Sequence, residues 1–173
     1  MRHVALALGL GCAACVPPGR APAAPLAQYE LMPGVTVSAA AELLRHSGGR
    51  PDVVRAHARV ASRDAAVLLE GAIDWCALTV RAYADGAPLP GAPAWSSAVS
   101  PMGPGESWTC SHVLRGVTLL PGDTVDFDAS FETRWILGSD LPEGRYRLTV
   151  VLHLDKPRIS TPELTAGSVV LRR

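Results

Sequence analysis

The clearest structural pattern in this chain is the stretch Arg145-Tyr-Arg-Leu-Thr-Val-Val-Leu-His-Leu-Asp155. Apolar and polar residues alternate along it, and Val151 is the one apolar residue among the polar positions. Because successive side chains of a β-strand point to opposite faces, the alternation predicts a strand with one face in a core and the other in water. The residues expected in the core are Tyr146, Leu148, Val150, Leu152 and Leu154.

The same alternation recurs in shorter segments, namely residues 54–60, 76–82, 124–128 and 168–172. Residues suited to turns lie between them, in Ser62-Arg63-Asp64, Asp85-Gly86, Pro121-Gly122-Asp123 and Pro142-Glu143-Gly144. Glycine supplies positive φ angles in such turns, and proline fixes φ. Short strands separated by regular turns predict an all-β fold, an immunoglobulin-like antiparallel β-sandwich of about seven to nine strands.

Two segments fit this pattern less simply. Residues 39–45 contain good helix formers, but a strand-like Val35-Thr36-Val37 precedes them and a glycine-rich loop follows, so we expect a strand there rather than a short helix. Residues 88–107 are rich in Pro, Gly and Ser. They predict a long connection that carries little regular structure beyond a short strand near Trp95.

The N-terminus has the order of a secretory signal, with Arg2 followed by the uncharged apolar residues 4–11, which are too few to span a bilayer. Cysteines directly after small residues resemble a bacterial lipoprotein signal, which implies lipidation of a thiol. Cys15, preceded by two alanines, is preferred to Cys12. An ordinary signal cleaved near residues 21–24 is the alternative. Either interpretation predicts an exported protein of the cell envelope, in the periplasm or on the outer surface.

The remaining chain predicts one domain. Residues 1–15 are the expected signal peptide, residues 16–30 a Pro- and Ala-rich tether, and residues 31–173 a single β-sandwich of a size that can bury a core. Sixteen Lys and Arg balance sixteen Asp and Glu, and no long run of one charge occurs. This balance argues against a nucleic-acid partner and against membrane contact other than through a lipid anchor.

Two cysteines remain after the signal, Cys76 and Cys110. Export permits a disulfide between them, which would close a loop of roughly 35 residues and stabilise the fold by about 3 to 4 kcal/mol. A metal site is disfavoured because no Cys-x-x-Cys or His-x-x-x-His spacing accompanies the pair. We therefore expect a structural disulfide that ties the far end of the long connection to a core strand.

The four tryptophans raise the question of a binding surface. Trp75 and Trp95 are the candidates for an exposed platform that binds sugar or peptide, and packing at the ends of the sandwich is the alternative. Trp75 neighbours Cys76 and points to the opposite face by alternation, so it is the one expected nearer the surface.

No catalytic motif is present in the sequence. The Gly-x-Ser-x-Gly motif of serine hydrolases does not occur, and His57 and His153 lie on the polar faces of predicted strands, where histidines are most often solvated. Asp123, Asp126 and Asp128 lack the glycine-bearing loop and terminal Glu of a calcium-binding EF-hand. The sequence thus indicates no enzyme, no metal and no cofactor.

Several short patterns carry a family resemblance. They are Cys76-x-Leu78 with Tyr83, Pro93-x-Trp95, Cys110, Leu119-x-Pro121-Gly122-Asp123 with Phe127, and Leu141-Pro142-x-Gly144-x-Tyr146. Together they resemble the BsuPI family of bacterial proteinase inhibitors, over roughly residues 53–173. The resemblance implies an immunoglobulin-like fold and a binding role. Export and the cysteine pair depart from that family, and no inhibitory residue matches by motif.

The sequence therefore favours a non-enzymatic, exported β-sandwich that binds an unknown protein partner or stabilises an envelope assembly. Proteinase inhibition is the first alternative, with residues 88–105 as the inserting loop. A carbohydrate-binding module that uses Trp75 or Trp95 is the second.

Overall fold

A computed structural model describes residues 27–72, 77–89, 91–98, 114–137 and 141–172. The predicted signal peptide, with Cys12 and Cys15, lies outside the described residues. So do Trp75, Cys76 and Cys110. Of the predicted tether, residues 28–30 belong to the first strand of the domain.

One layer is a four-stranded antiparallel sheet with the order β1-β2-β3-β8. Its strands are β1 (Gln28–Met32), β2 (Val35–Leu44), β3 (Val53–Ser62) and β8 (Thr124–Glu132). Residues 39–45, for which a strand was preferred to a helix, lie in β2 except for Arg45, so that prediction is confirmed. Here pairing with β3 along the whole of β2 outweighs the helix propensity of the alanines and leucines.

The facing layer has the order β10-β9-β5-β6, and β11 also pairs with β9. Its strands are β5 (Leu78–Ala84), β6 (Trp95–Ser96), β9 (Gly144–Leu154), β10 (Ile159–Ser160) and β11 (Leu164–Leu171). A separate two-stranded antiparallel sheet pairs β4 (Val67–Ala72) with β7 (Leu114–Leu119). Nine of the strands in the described residues have five or more residues, and β6 and β10 have two each.

The chain is an all-β antiparallel sandwich, as predicted. If β2, β3, β5, β8, β9 and β11 are taken as strands A, B, C, E, F and G, the layers have the A-B-E and G-F-C orders of an immunoglobulin-like sandwich. The core between them consists of the inward residues of the alternating segments. Val54, Ala56, Ala58 and Val60 of β3 meet the apolar face of β9, and all are fully buried.

A tyrosine at the start of β9 strengthens this comparison. The Tyr146 hydroxyl donates a hydrogen bond to the carbonyl oxygen of Pro142, four residues upstream, at 2.6 Å. A tyrosine in this position is a hallmark of immunoglobulin-like sandwiches. Burial raises the pKa of Tyr146, so its hydroxyl keeps the proton that it donates. The turn that begins at Leu141 and Pro142 therefore fixes where β9 enters the core.

Four strands and a short helix end at the same end of the sandwich. β2, β5, β8 and β11 all finish there, and β8 runs into the short helix α1 (Thr133–Leu137), which the sequence reading did not predict. We call this the α1 end. The turns after β1, β3, β7 and β9 lie at the opposite end, where the backbone amide of Ser62 donates to the carbonyl oxygen of Asp123.

Candidate functional site

The loop between β5 and β6, residues 85–94, projects from the α1 end and is held at both of its ends. On the β5 side, the Arg147 guanidinium donates to the carbonyl oxygen of Ala87 at 2.5 Å, and the amide of Asp85 donates to the carbonyl oxygen of Arg145 at 3.2 Å. On the β6 side, the amide of Ala94 donates to the carbonyl oxygen of Ala82 at 2.8 Å. Residue 90 lies outside the described residues. These bonds tie the β5–β6 loop to the sheet.

Leu89 is the exposed apolar residue of this loop, with 38% of its surface open to solvent. Pro88 precedes it, and Gly91 follows in a tight bend where a Cβ atom would come within 2.7 Å of the Pro88 carbonyl oxygen. Proline restricts the backbone conformation of the loop before a partner binds. Less conformational entropy is then lost on association. The loop therefore presents an apolar side chain from a restrained backbone.

Trp95 anchors the same region from inside rather than forming a surface. It is 6% exposed, and its ring packs edge-to-face on Phe131 with 5.3 Å between the ring centroids. The neighbouring Ser97 exchanges hydrogen bonds with the backbone of Val80. The short strand predicted near Trp95 is thus present as β6. An indole this deeply buried cannot serve as a stacking platform, and Trp75 lies outside the described residues.

The outer face of β5 and β9 holds a partly buried polar network around Glu163, in the connection between β10 and β11. The Tyr83 hydroxyl donates to its carboxylate at 2.8 Å, and the Thr149 hydroxyl at 3.3 Å. Arg81 forms an ion pair with it. Tyr83 and Thr149 are each 1% exposed. This face, expected to be in water, is therefore covered.

His153 extends this network along β9. Its Nε2 lies 2.9 Å from the Thr79 hydroxyl, and its Nδ1 lies 2.8 Å from the hydroxyl of Ser160 on β10. Partial burial, and secondarily the charge of Arg81, lower the pKa of His153. The expectation of a simply solvated histidine is thus wrong for His153, because its ring is partly buried and both ring nitrogens lie within hydrogen-bond distance of hydroxyl groups of the sheet. In a Ser-His-Asp triad, one histidine nitrogen faces the serine and the other faces a carboxylate. In His153 the nitrogen opposite Ser160 faces the hydroxyl of Thr79 instead, so the arrangement is not that of a triad.

The outer face of β3 and β8 carries a ladder of exposed ion pairs instead. Arg59 binds both carboxylate oxygens of Asp126, at 2.7 and 2.9 Å, and Arg55 pairs with Asp128 at 3.1 Å. The hydrogen bond from Arg59 lowers the pKa of Asp126, and the same bond raises that of Arg59. His57 lies between the two arginines on β3, opposite Asp128.

The third aspartate considered for calcium, Asp123, accepts a hydrogen bond from the Leu120 amide in the turn after β7. In the described ranges, no group of three or more His, Cys, Asp or Glu residues is arranged to hold a metal ion. Within the same ranges, no helix has the length and apolar composition needed to cross a membrane.

No model of a known protein family matches the chain, and no curated protein does. The resemblance to the BsuPI family therefore rests on the sequence patterns alone.

Sequence reasoning placed the candidate loop at residues 88–105, and the described part of that range overlaps the β5–β6 loop. It did not single out Leu89 as the exposed residue, nor Glu163 as the centre of a network. Val151 was a signal for the network, because it is an apolar residue on a nominally polar face and is 6% exposed.

Proposed function

We propose that this chain is an exported, non-enzymatic β-sandwich that binds another protein through the β5–β6 loop. One observation carries the proposal: Leu89 is exposed on a proline-containing loop whose two ends are hydrogen-bonded to the sheet. An apolar side chain presented from a preorganised loop suits an apolar pocket on a partner.

Proteinase inhibition is the more specific version of this function. A restrained loop with an apolar residue at its surface is suited to occupy the substrate cleft of a proteinase without the entropic cost of ordering. The resemblance to the BsuPI family supports the same idea. The carbohydrate-binding alternative loses Trp95, which is buried, and then depends on Trp75, which lies outside the described residues.

The experiment uses two matched substitutions. Leu89→Asp places a charge on the β5–β6 loop, whereas Leu120→Asp places the same charge at another exposed leucine, which is 55% exposed and lies in the turn at the opposite end. Proteins that co-purify from the native envelope are identified for the unmodified chain and both variants. We expect a partner that is retained with Leu120→Asp and lost with Leu89→Asp.

A partner set that does not differ among the three proteins would exclude the loop as the binding site. In parallel, each protein is titrated against a panel of serine proteinases. Near-stoichiometric inhibition that Leu89→Asp abolishes and Leu120→Asp preserves would establish the inhibitor, and inertness against the whole panel would remove it. Thermal melting followed by circular dichroism shows that each variant is folded.

Export, lipidation of Cys15 or Cys12, and the Cys76–Cys110 disulfide belong to the same proposal. A disulfide would hold the far end of the connection whose near end carries Leu89. The intact mass of the unreduced protein from its native envelope tests both modifications, through the added mass of the lipid and the loss of two hydrogen atoms. An unmodified mass that retains both hydrogens would contradict them.

A further inference from the structure

The α1 end also contains a cleft of about 530 Å³ whose lining includes four arginines. Arg45 follows β2, Arg50 lies in the loop between β2 and β3, Arg134 is in α1, and Arg172 follows β11. These residues are up to 127 positions apart in the sequence (172 minus 45). No long run of basic residues indicates that they form a cluster. The antiparallel order of the sheets brings them together.

The positive charge of this arginine cleft is poorly compensated. Within the described residues, Arg45, Arg50 and Arg172 have no ion-pair partner, and Arg134 pairs with Glu132 at 2.5 Å. Asp52, the one acidic residue of the lining, accepts a hydrogen bond from the amide of His46 at 3.1 Å. Like charges gathered at one place repel each other, although the chain as a whole has a formal charge of zero. A bound anion would relieve this repulsion.

The shape and chemistry of the cleft define the class of anion. The planar guanidinium donates pairs of parallel N–H groups that match the oxygens of phosphate. A volume of about 530 Å³ lies within the range of small-molecule sites and exceeds the size of one phosphate group. Thr133, the first residue of α1, adds a neutral residue to the lining.

We propose that the arginine cleft binds a phosphate-bearing ligand that carries at least two negative charges. Its phosphate oxygens accept hydrogen bonds from the guanidinium groups of Arg45, Arg50 and Arg172. The site is separate from the β5–β6 loop and does not depend on the function proposed for that loop.

Titration calorimetry of the purified chain with inorganic pyrophosphate at low ionic strength tests this site. The double variant Arg45→Gln/Arg50→Gln removes two charges from the cleft. The matched control, Arg63→Gln/Arg158→Gln, removes two exposed charges at the opposite end. We expect saturable one-to-one binding that weakens by about tenfold or more in the cleft variant, because each charge-assisted hydrogen bond contributes strongly. The control should change the affinity by no more than about twofold.

Three results would overturn the proposal: no saturable binding of pyrophosphate, equal weakening in both double variants, or citrate bound as tightly as pyrophosphate. Vesicles that contain phosphatidylglycerol identify the source of the phosphate. Vesicle binding that requires Arg45 and Arg50 points to a lipid headgroup, whereas pyrophosphate binding without vesicle binding points to a soluble phosphate ester.

Discussion

The two outer faces of the sandwich use the same side-chain chemistry in different surroundings. On the β3–β8 face, the side chains of Arg59 and Asp126 are 54% and 40% exposed. On the β5–β9 face, those of Arg81 and Glu163 are 35% and 23% exposed, and two hydroxyl groups share the carboxylate. Water competes with the contact in the first pair, whereas the second pair belongs to a partly buried hydrogen-bond network.

Alternation along a strand therefore does not show which of its polar residues will be exposed and which will be buried in a hydrogen-bond network. The segments that became β3 and β9 both place polar residues at alternate positions. On the β5–β9 face, Glu163 lies between β10 and β11 at the edge of β9, and its carboxylate is the acceptor for the hydroxyl groups of Tyr83 and Thr149.

The largest effect should follow Glu163→Leu. The substitution leaves Arg81 without its ion-pair partner and the hydroxyl groups of Tyr83 and Thr149 without their acceptor. We expect a loss of about 2 kcal/mol in the free energy of unfolding, below the cost for a fully buried pair because water still reaches Arg81. Urea denaturation measures it. A loss no greater than that caused by Asp126→Leu would show that the two faces are equivalent.

An intermediate effect is expected from the protonation of His153. Its pKa is lowered in the folded state, so the unfolded chain binds the proton more readily and protonation favours unfolding. The corresponding stability is therefore fully present above about pH 6.5, the unfolded pKa, and is lost as the pH falls below it. Urea denaturation at about pH 7.5 and 5.5 should show this decline in the unmodified protein.

The same pair of measurements on His153→Gln supplies the control. This variant retains a polar side chain but does not titrate in that range, so the decline should diminish. An undiminished decline would mean that a group other than His153 is responsible for the loss of stability.

The smallest effect should come from Asp126→Leu, which removes the partner of Arg59 from the exposed ladder. Exposed ion pairs contribute little to stability and are screened by salt. We expect a small fraction of the loss caused by Glu163→Leu, which decreases further in about 0.5 M salt. Because the pKa of Asp126 is lowered, its contribution is present above about pH 4 and disappears as the pH falls through the folded value. A salt-insensitive loss would contradict the interpretation of this face as solvated.

Much of the fold could be predicted because its determinants are local. The alternation in residues 54–60 and 145–155 predicted β3 and β9, and the turn glycines Gly86 and Gly122 have the positive φ angles, 81° and 90°, that such turns require. The helix α1 escaped prediction because five residues are too few to establish a helical period.

The candidate sites were harder to predict because they depend on long-range assembly. Glu163 and Arg81 are 82 positions apart (163 minus 81), and nothing near either one indicates the pairing. The arginine cleft is a stronger case, since a balanced composition without basic runs argued against clustered positive charge. Composition limits the total charge of a chain, but the ends of antiparallel strands determine where that charge collects.

The pairing of β1 has a consequence for how the domain would stand on a surface. β1 runs antiparallel to β2, with Gln28 opposite Ser38, and β2 finishes at the α1 end. β1 therefore begins toward the α1 end and runs toward the opposite end. An anchor on the N-terminal side of β1 would be joined to the domain on the side that carries Leu89 and the arginine cleft, away from the turns of the opposite end.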